Sequence, residues 1–337
     1  MRKGDDLHLH LRTGEMLRTV LPHTTRQFKR AVIMPNVTVK GRKYTGVLDR
    51  YDMAVYRDEI LASRDDIGFE PLMTIQIVEK TTPDMVRDAK AAGAIAGKVY
   101  PRGMTTNSEN GVYDYEAIYP TLTAMQECGM LVLFHGESPD PDLFCLDREM
   151  KFLKILKDVA KTFPRLKIMM EHVTTAKAIE CVAELGSNVA ATITVHHLFL
   201  TLNDVIGDKL EPHHFCKPVA KRPDDRAMLI TAAMGGNPKF FLGTDSAPHL
   251  KGAKECASGC AGVYTAPVAT PLLLELFEQH NAMDKLEDFC SGFGADFYGL
   301  PRNKETISLV KETWKVPPIC GGVVPFRAGK EISWQME

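Results

Sequence analysis

No run of apolar residues in this 337-residue chain approaches the roughly 18 that a membrane-spanning helix needs, so no membrane partner is expected. There is no excess of one charge either. Lysine and arginine total 41 against 43 acidic residues, a net charge of −2, and no basic run stands out. That balance argues against a nucleic-acid-binding surface. The eight cysteines (Cys128, Cys145, Cys181, Cys216, Cys256, Cys260, Cys290 and Cys320) are scattered and form no CxxC pair. They lack the density of a disulfide scaffold, and Cys256 and Cys260 have no second pair to complete a zinc site. Low-complexity segments and short-period repeats are missing. The opening Met1-Arg2-Lys3-Gly4 runs directly into charged residues rather than an apolar signal segment. These absences lead us to expect a cytoplasmic protein in a reducing compartment.

The chain does have ordinary globular composition, 45% hydrophobic and 25% charged. Short apolar runs recur at residues 6–11, 31–34, 71–78, 96–100, 130–134, 167–171, 189–195 and 239–243. Near-continuous apolarity over four to eight residues marks strands buried on both faces, as in a parallel sheet. The intervals carry helical spacing. Thr82-Pro83 supplies a cap and a first-turn proline for a helix over 85–92, which Gly93 can close. Residues 147–163 place Met150, Leu153, Ile155 and Leu156 near one face, 176–185 ends at Gly186, and 224–234 ends at Gly235-Gly236. Eight strands alternating with helices predict an α/β fold, a (β/α)8 TIM barrel with its site at the C-terminal ends of the strands. Alternation alone also admits an open doubly wound sheet, but no GxGxxG follows the first strand. We read 1–337 as one barrel domain. Its C-terminal part, about 305–337, is expected to form a final helix followed by a strand-like tail at 331–335.

Ionisable residues sit at the strands in a telling way. The first strand carries His8 and His10, two apart and therefore on one face. Lys98 lies in the fourth, in Ala-Gly-Lys-Val-Tyr. The fifth leads into His135, the sixth into His172 and the eighth into Asp245. Any one of these is weak: a single histidine at a strand end is usually structural, and His-x-His arises by chance. Together they fall on the rim where barrel enzymes work, and burying them unpaired would cost several kcal/mol each. A shared metal site removes that cost, and four imidazoles with one carboxylate suit zinc or a similar ion. A protonated Lys98 would be repelled by such ions. A neutral lysine that adds carbon dioxide becomes a carbamate, whose two oxygens can bridge two metals.

The set His8-x-His10, Lys98, His135, His172 and Asp245 resembles the metal site of the amidohydrolase superfamily. Within it, the sequence is similar to the compact bacterial-type (class II) dihydroorotases. The resemblance rests on Asp5-Asp6-Leu7-His8-Leu9-His10-Leu11-Arg12, Met34-Pro35-Asn36, Lys98-Val99-Tyr100-Pro101, Thr105-Thr106-Asn107-Ser108, Gly243-Thr244-Asp245-Ser246-Ala247-Pro248-His249 and Gly259-Cys260-Ala261-Gly262. It extends from Asp5 to about Gly299.

The resemblance implies reversible cyclisation of N-carbamoyl-L-aspartate to L-dihydroorotate, in pyrimidine biosynthesis. It implies two Zn2+ per chain: His8, His10 and Asp245 on the more buried ion, His135 and His172 on the other, and carboxylated Lys98 bridging both. A hydroxide between the metals would attack the ring amide, with Asp245 as general acid/base. Arg12, two residues past His10 on the same strand face, would clamp the unreactive substrate carboxylate together with Asn36 and His249. Thr105 and Thr106 would close over the substrate from a mobile polar loop, 105–111. Lys217 and Ala261 fall at further substrate-contacting positions. Lys217 stands where relatives can carry an apolar residue, which is harmless if the contact is through the backbone. A homodimer is expected on the same grounds. The remaining histidines, including His196 and His197, are expected to be structural.

Overall fold

The computed structural model describes residues 1–105 and 108–337. Thr106, one of the expected substrate contacts, lies outside the described residues.

Eight parallel strands follow one another in sequence order: β1 (Gly4–Leu9), β2 (Phe28–Ile33), β3 (Glu70–Ile77), β4 (Ala96–Val99), β5 (Leu131–His135), β6 (Ile168–Glu171), β7 (Val189–Ile193) and β8 (Phe240–Leu242). Each falls on one of the apolar runs in the sequence. The ring closes between the residues after β8 and the end of β1. Asp245 donates its backbone N–H to His8 O at 2.8 Å, and His10 N–H reaches Ser246 O at 3.0 Å. At this seam Gly243 is required by space, because a Cβ there would stand 2.9 Å from both His8 Cβ and Thr192 Cβ.

Helices cover the outside of the ring for reasons visible locally. Thr82 accepts a hydrogen bond from Met85 N–H and caps the helix Pro83–Ala91. Asp49 caps Arg50–Ser63 through Tyr51 and Asp52 N–H, and Thr175 caps Ala176–Glu184. The helix Arg148–Thr162 buries Phe152, Leu156 and Val159.

Inside the ring, side chains of one strand parity build an apolar floor from Val32, Leu72, Ala96, Leu131, Leu133, Met169, Ala190 and Phe241. Two residues further along the same strands come Lys98, His135 and Glu171. The period of two therefore places polar groups directly above a dry base.

Two expectations need correction. Residues 305–337 form no helix. They make two short antiparallel pairs, Leu309–Val310 with Gln335–Met336 and Trp314–Lys315 with Glu331–Ile332, so the strand-like tail is real but split. Pro317-Pro318 and Gly321-Gly322 deny this stretch a helical run. The segment instead returns to the N-terminus, where Lys3 N–H meets Glu305 O at 2.8 Å and Ile307 N–H meets Met1 O at 2.9 Å. Second, β1 ends at Leu9, so Arg12 is not on a strand face. It lies three residues past the strand and has φ 61°, a left-handed backbone that carries its side chain toward the site.

Candidate metal centre and substrate pocket

The imidazoles of His8, His10, His135 and His172 converge above the floor. Ring centroids are 5.6 Å apart for His8–His10, 5.0 Å for His8–His172 and 4.6 Å for His135–His172. Strand alternation would send His172 outward, since Glu171 before it points in. His172 takes φ 43°, and this left-handed turn brings its ring back to the cluster. The loop that follows is pinned by Glu149, whose carboxylate accepts the Thr174 and Thr175 backbone N–H groups at 2.9 and 2.8 Å and both hydroxyls at 2.6 Å. Asp245 also has a left-handed backbone, φ 45°. Such conformations cost of order 1–3 kcal/mol each and persist where surrounding structure over-determines them, commonly at functional sites.

The donor atoms of His8, His10 and Asp245 lie within 4.8 Å of one another and all three residues are buried. His10 Nδ1–H donates to Asn36 Oδ1 at 2.8 Å, which leaves Nε2 with its lone pair facing Asp245 Oδ1 at 3.1 Å. His8 Nε2 is 3.4 Å from the same oxygen. Lone pairs converging on a carboxylate call for a cation between them. Burial pushes the titration of all four imidazoles down, so each is neutral and able to ligate at pH 7. Burial alone would raise the Asp245 carboxyl, but the contacts with His10, His8 and Lys98 outweigh it and hold it at about 2, so it is ionised.

Lys98 is fully buried, and its Nζ has no hydrogen-bond partner among the described residues. Desolvation brings its pKa down to about 8, so a neutral amine is within reach at physiological pH. The orphaned Nζ, the orphaned His172 Nδ1 and the converging imidazoles all fit a metal site.

Two carboxylates lie behind the clustered imidazoles, and reading the sequence missed both. Glu137 Oε2 accepts from His135 Nε2 at 2.6 Å, fixing that ring's orientation. Glu171 Oε2 lies 2.8 Å from His8 Nδ1, although not aligned as a hydrogen bond, and accepts the Thr192 hydroxyl at 2.6 Å. The signal was available in both cases, since Glu137 follows His135 by two residues and Glu171 ends β6.

A small pocket, about 440 Å3 of empty space once its open mouth is included, lies above the cluster. His8, His10, Arg12, Asn36, Thr105, His135, His172, Lys217, Asp245 and Ala261 line it, joined by Tyr100, Ala247 and Gly262, which were not anticipated. His249 stands just behind this wall, its Nε2 3.1 Å from Arg12 Nη2 and 3.0 Å from Ala261 O. Arg12 Nε donates to Pro248 O at 3.1 Å, and among the described residues no carboxylate pairs with this guanidinium. Asn36 faces the pocket and also accepts from His10. Lys98 lies beneath the pocket rather than on its wall.

A second buried group, His196, His197 and Cys216, also brings metal-capable atoms together. His197 is internally satisfied: Thr194 Oγ1 lies 2.9 Å from Nδ1 and Pro218 O 3.0 Å from Nε2. It fastens the turn that presents Lys217, in keeping with a structural role.

A parallel eight-stranded barrel with imidazoles, an aspartate and a buried lysine meeting at its C-terminal rim defines a metal-dependent hydrolase of the amidohydrolase type. No family model matches the chain. It is 48% identical to the dihydroorotase of Neisseria gonorrhoeae, over 99% of this chain and 98% of that protein. The crystal structure of dihydroorotase from Campylobacter jejuni superposes with a TM-score of 0.90 at 40% identity, covering 100% of this chain and 96% of the other. That of the Saccharomyces cerevisiae dihydroorotase in complex with 5-fluoroorotic acid gives 0.91 at 34% identity, covering 100% and 98%. The chain belongs to the dihydroorotase family.

Proposed function

We propose that this protein catalyses the reversible cyclisation of N-carbamoyl-L-aspartate to L-dihydroorotate in pyrimidine biosynthesis, with two zinc ions per chain. The observation that carries this reading is the joint placement, across one small cavity, of a metal-type cluster and a half-buried Arg12 that has no carboxylate partner among the described residues. His8, His10 and Asp245 would hold one ion, His135 and His172 the other, and Lys98, carboxylated on Nζ, both. Its neutral amine would attack carbon dioxide and lose a proton to form the carbamate. Bound there, the ions would polarise the scissile carbonyl and acidify a water.

The chain's own residues supply the rest. Arg12 presents a fixed cation to the substrate's unreactive carboxylate, and Asn36 and His249 flank it. Burial and Arg12 hold the titration of His249 down to about 3, so it meets the substrate as a neutral hydrogen-bonding group. Ionised Asp245 takes the proton of the attacking water and delivers it to the leaving ring nitrogen. In the biosynthetic direction it accepts the proton from the carbamoyl nitrogen. Thr105 and Thr106 would cover the bound substrate, and Lys217 and Ala261 would contact it from the two sides of the pocket.

A related cyclic amidase would share the metals but has no need of an acid clamp, which Arg12, Asn36 and His249 provide. A catalytically silent scaffold is expected to have lost ligands, whereas all six positions are filled. We further propose a single barrel domain, a cytoplasmic location and a homodimer. The test is turnover of dihydroorotate and of carbamoyl aspartate by the purified protein, with zinc counted per chain. Activity abolished by a chelator and restored by zinc is expected; a protein carrying two zinc ions that turns over neither compound overturns the proposal.

A further inference from the structure

Lys254 ends the short helix Lys251–Lys254 and is 4% exposed. Its ammonium donates to three backbone carbonyls, Phe215 O at 3.1 Å, Cys260 O at 3.1 Å and Gly262 O, which uses all three of its protons. Among the described residues no carboxylate lies within ion-pair reach of it. The carbonyls come from two segments far apart in sequence, 215–217 and 260–262. Each brings a wall of the substrate cavity, Lys217 from one and Ala261 with Gly262 from the other. Gly262 N–H also bonds Phe215 O at 2.9 Å, so that carbonyl is shared by a backbone amide and the ammonium. Between the two carbonyls held by Lys254, Ala261 O faces His249 Nε2.

A buried cation neutralised only by peptide dipoles is a poor stabiliser. An apolar side chain of similar length would fill the space without the desolvation cost. What the ammonium provides instead is geometry, because three directed bonds fix where two loops stand relative to each other. We propose that Lys254 is a positioning residue for substrate binding, which sets the width of the cavity by tying segment 215–217 to segment 260–262. This rests on the reading that those two segments contact the substrate. Lys254 touches neither the reacting atoms nor the metal ligands, so its loss acts on affinity before chemistry.

The experiment compares wild type, Lys254→Met and Lys254→Ala. We expect KM for dihydroorotate to rise about 10- to 100-fold, the scale of lost charge-assisted hydrogen bonds. kcat and zinc content should stay close to wild type, and hydrogen exchange should accelerate in 215–217 and 260–262 together. Ethylammonium, which carries N–H donors into the vacated space, should lower the KM of Lys254→Ala, whereas tetramethylammonium should not. An unchanged KM, or a loss of zinc and kcat at constant KM, overturns the proposal. Should neither variant fold, Lys254→Arg carries the test: it keeps the cation but alters the reach, and an unchanged KM overturns the proposal again. Wild-type inactivity would count against the functional reading alone, since the hydrogen-exchange comparison needs no substrate and still decides whether Lys254 ties the two segments.

Discussion

Glu171 Oε2 and His8 Nδ1 stand 2.8 Å apart at the centre of the barrel, with neither side chain exposed to solvent. The contact joins β6 to β1, directly across the ring rather than between neighbours. Desolvation raises the Glu171 carboxyl to about 7, with Lys98 and the Thr192 hydroxyl pulling against that rise. The carboxylate can orient His8 from behind while its Nε2 faces Asp245. Glu171→Gln keeps the shape and removes the charge. We expect zinc affinity at the His8–His10–Asp245 position to fall about 10- to 100-fold, the usual cost of losing a carboxylate behind a metal-binding histidine. Competition with a chromophoric chelator measures it, and wild-type affinity would dismiss the role.

Arg12→Met tests the clamp. The guanidinium is held by Pro248 O and His249 but has no acidic partner among the described residues, so its charge is available to a substrate carboxylate. Its removal should raise KM about 10- to 200-fold, the equivalent of one or two charge-assisted hydrogen bonds, with a smaller change in kcat. Steady-state kinetics in both directions decide it, and an unaltered KM removes Arg12 from the site.

Lys98→Ala removes the proposed bridge. Turnover should vanish and zinc content should drop below that of wild type. Acetate, a carboxylate small enough for the vacated space, should restore part of both. Intact-mass measurement of wild type under mild conditions should show one added carbon dioxide per chain. An active Lys98→Ala enzyme without added acid would refute the bridging role.

Acid should destabilise the metal-free fold in a defined window. Burial holds His196 down to about 3, against an ordinary value of 6.5. Between those limits the unfolded chain binds a proton that the native chain does not. The stability associated with neutral His196 is therefore complete above about 6.5 and declines as pH falls toward 3, by up to about 1.4 kcal/mol per pH unit. Urea melts at stepped pH should give a shallower decline for His196→Gln than for wild type. Parallel declines would show that His196 is not the group responsible.

Much of this architecture was legible in the sequence because parallel strands buried on both faces leave unbroken apolar runs. All eight runs became strands, and the polar residues at their ends became the rim. Legibility failed where backbone conformation overrides strand periodicity. Arg12 reaches the site through a left-handed turn rather than along β1, and His172 turns inward at a position that alternation would point out. It also failed for groups that act from behind. Glu171 and Lys254 meet partners remote in sequence, His8 on another strand and three backbone carbonyls, while Glu137 stands only two residues past its partner His135 and was overlooked. In the tail, the breakers Pro317-Pro318 and Gly321-Gly322 argue against the expected helix, while strands of only two residues leave no period to read.

The barrel closes at one seam, where Asp245 and Ser246 bond the backbone of His8 and His10. In the proposed site His8 and His10 would be the first ligands synthesised and Asp245 the last. A growing chain would then expose its first histidines long before their coordination could be completed, and no fragment ending before residue 245 would hold an ion there in the native manner. Occupancy of that position would report a finished ring. The ion in turn would act as a fastener between the two edges of the sheet, making metal supply and proper closure a single checkpoint in the maturation of the protein.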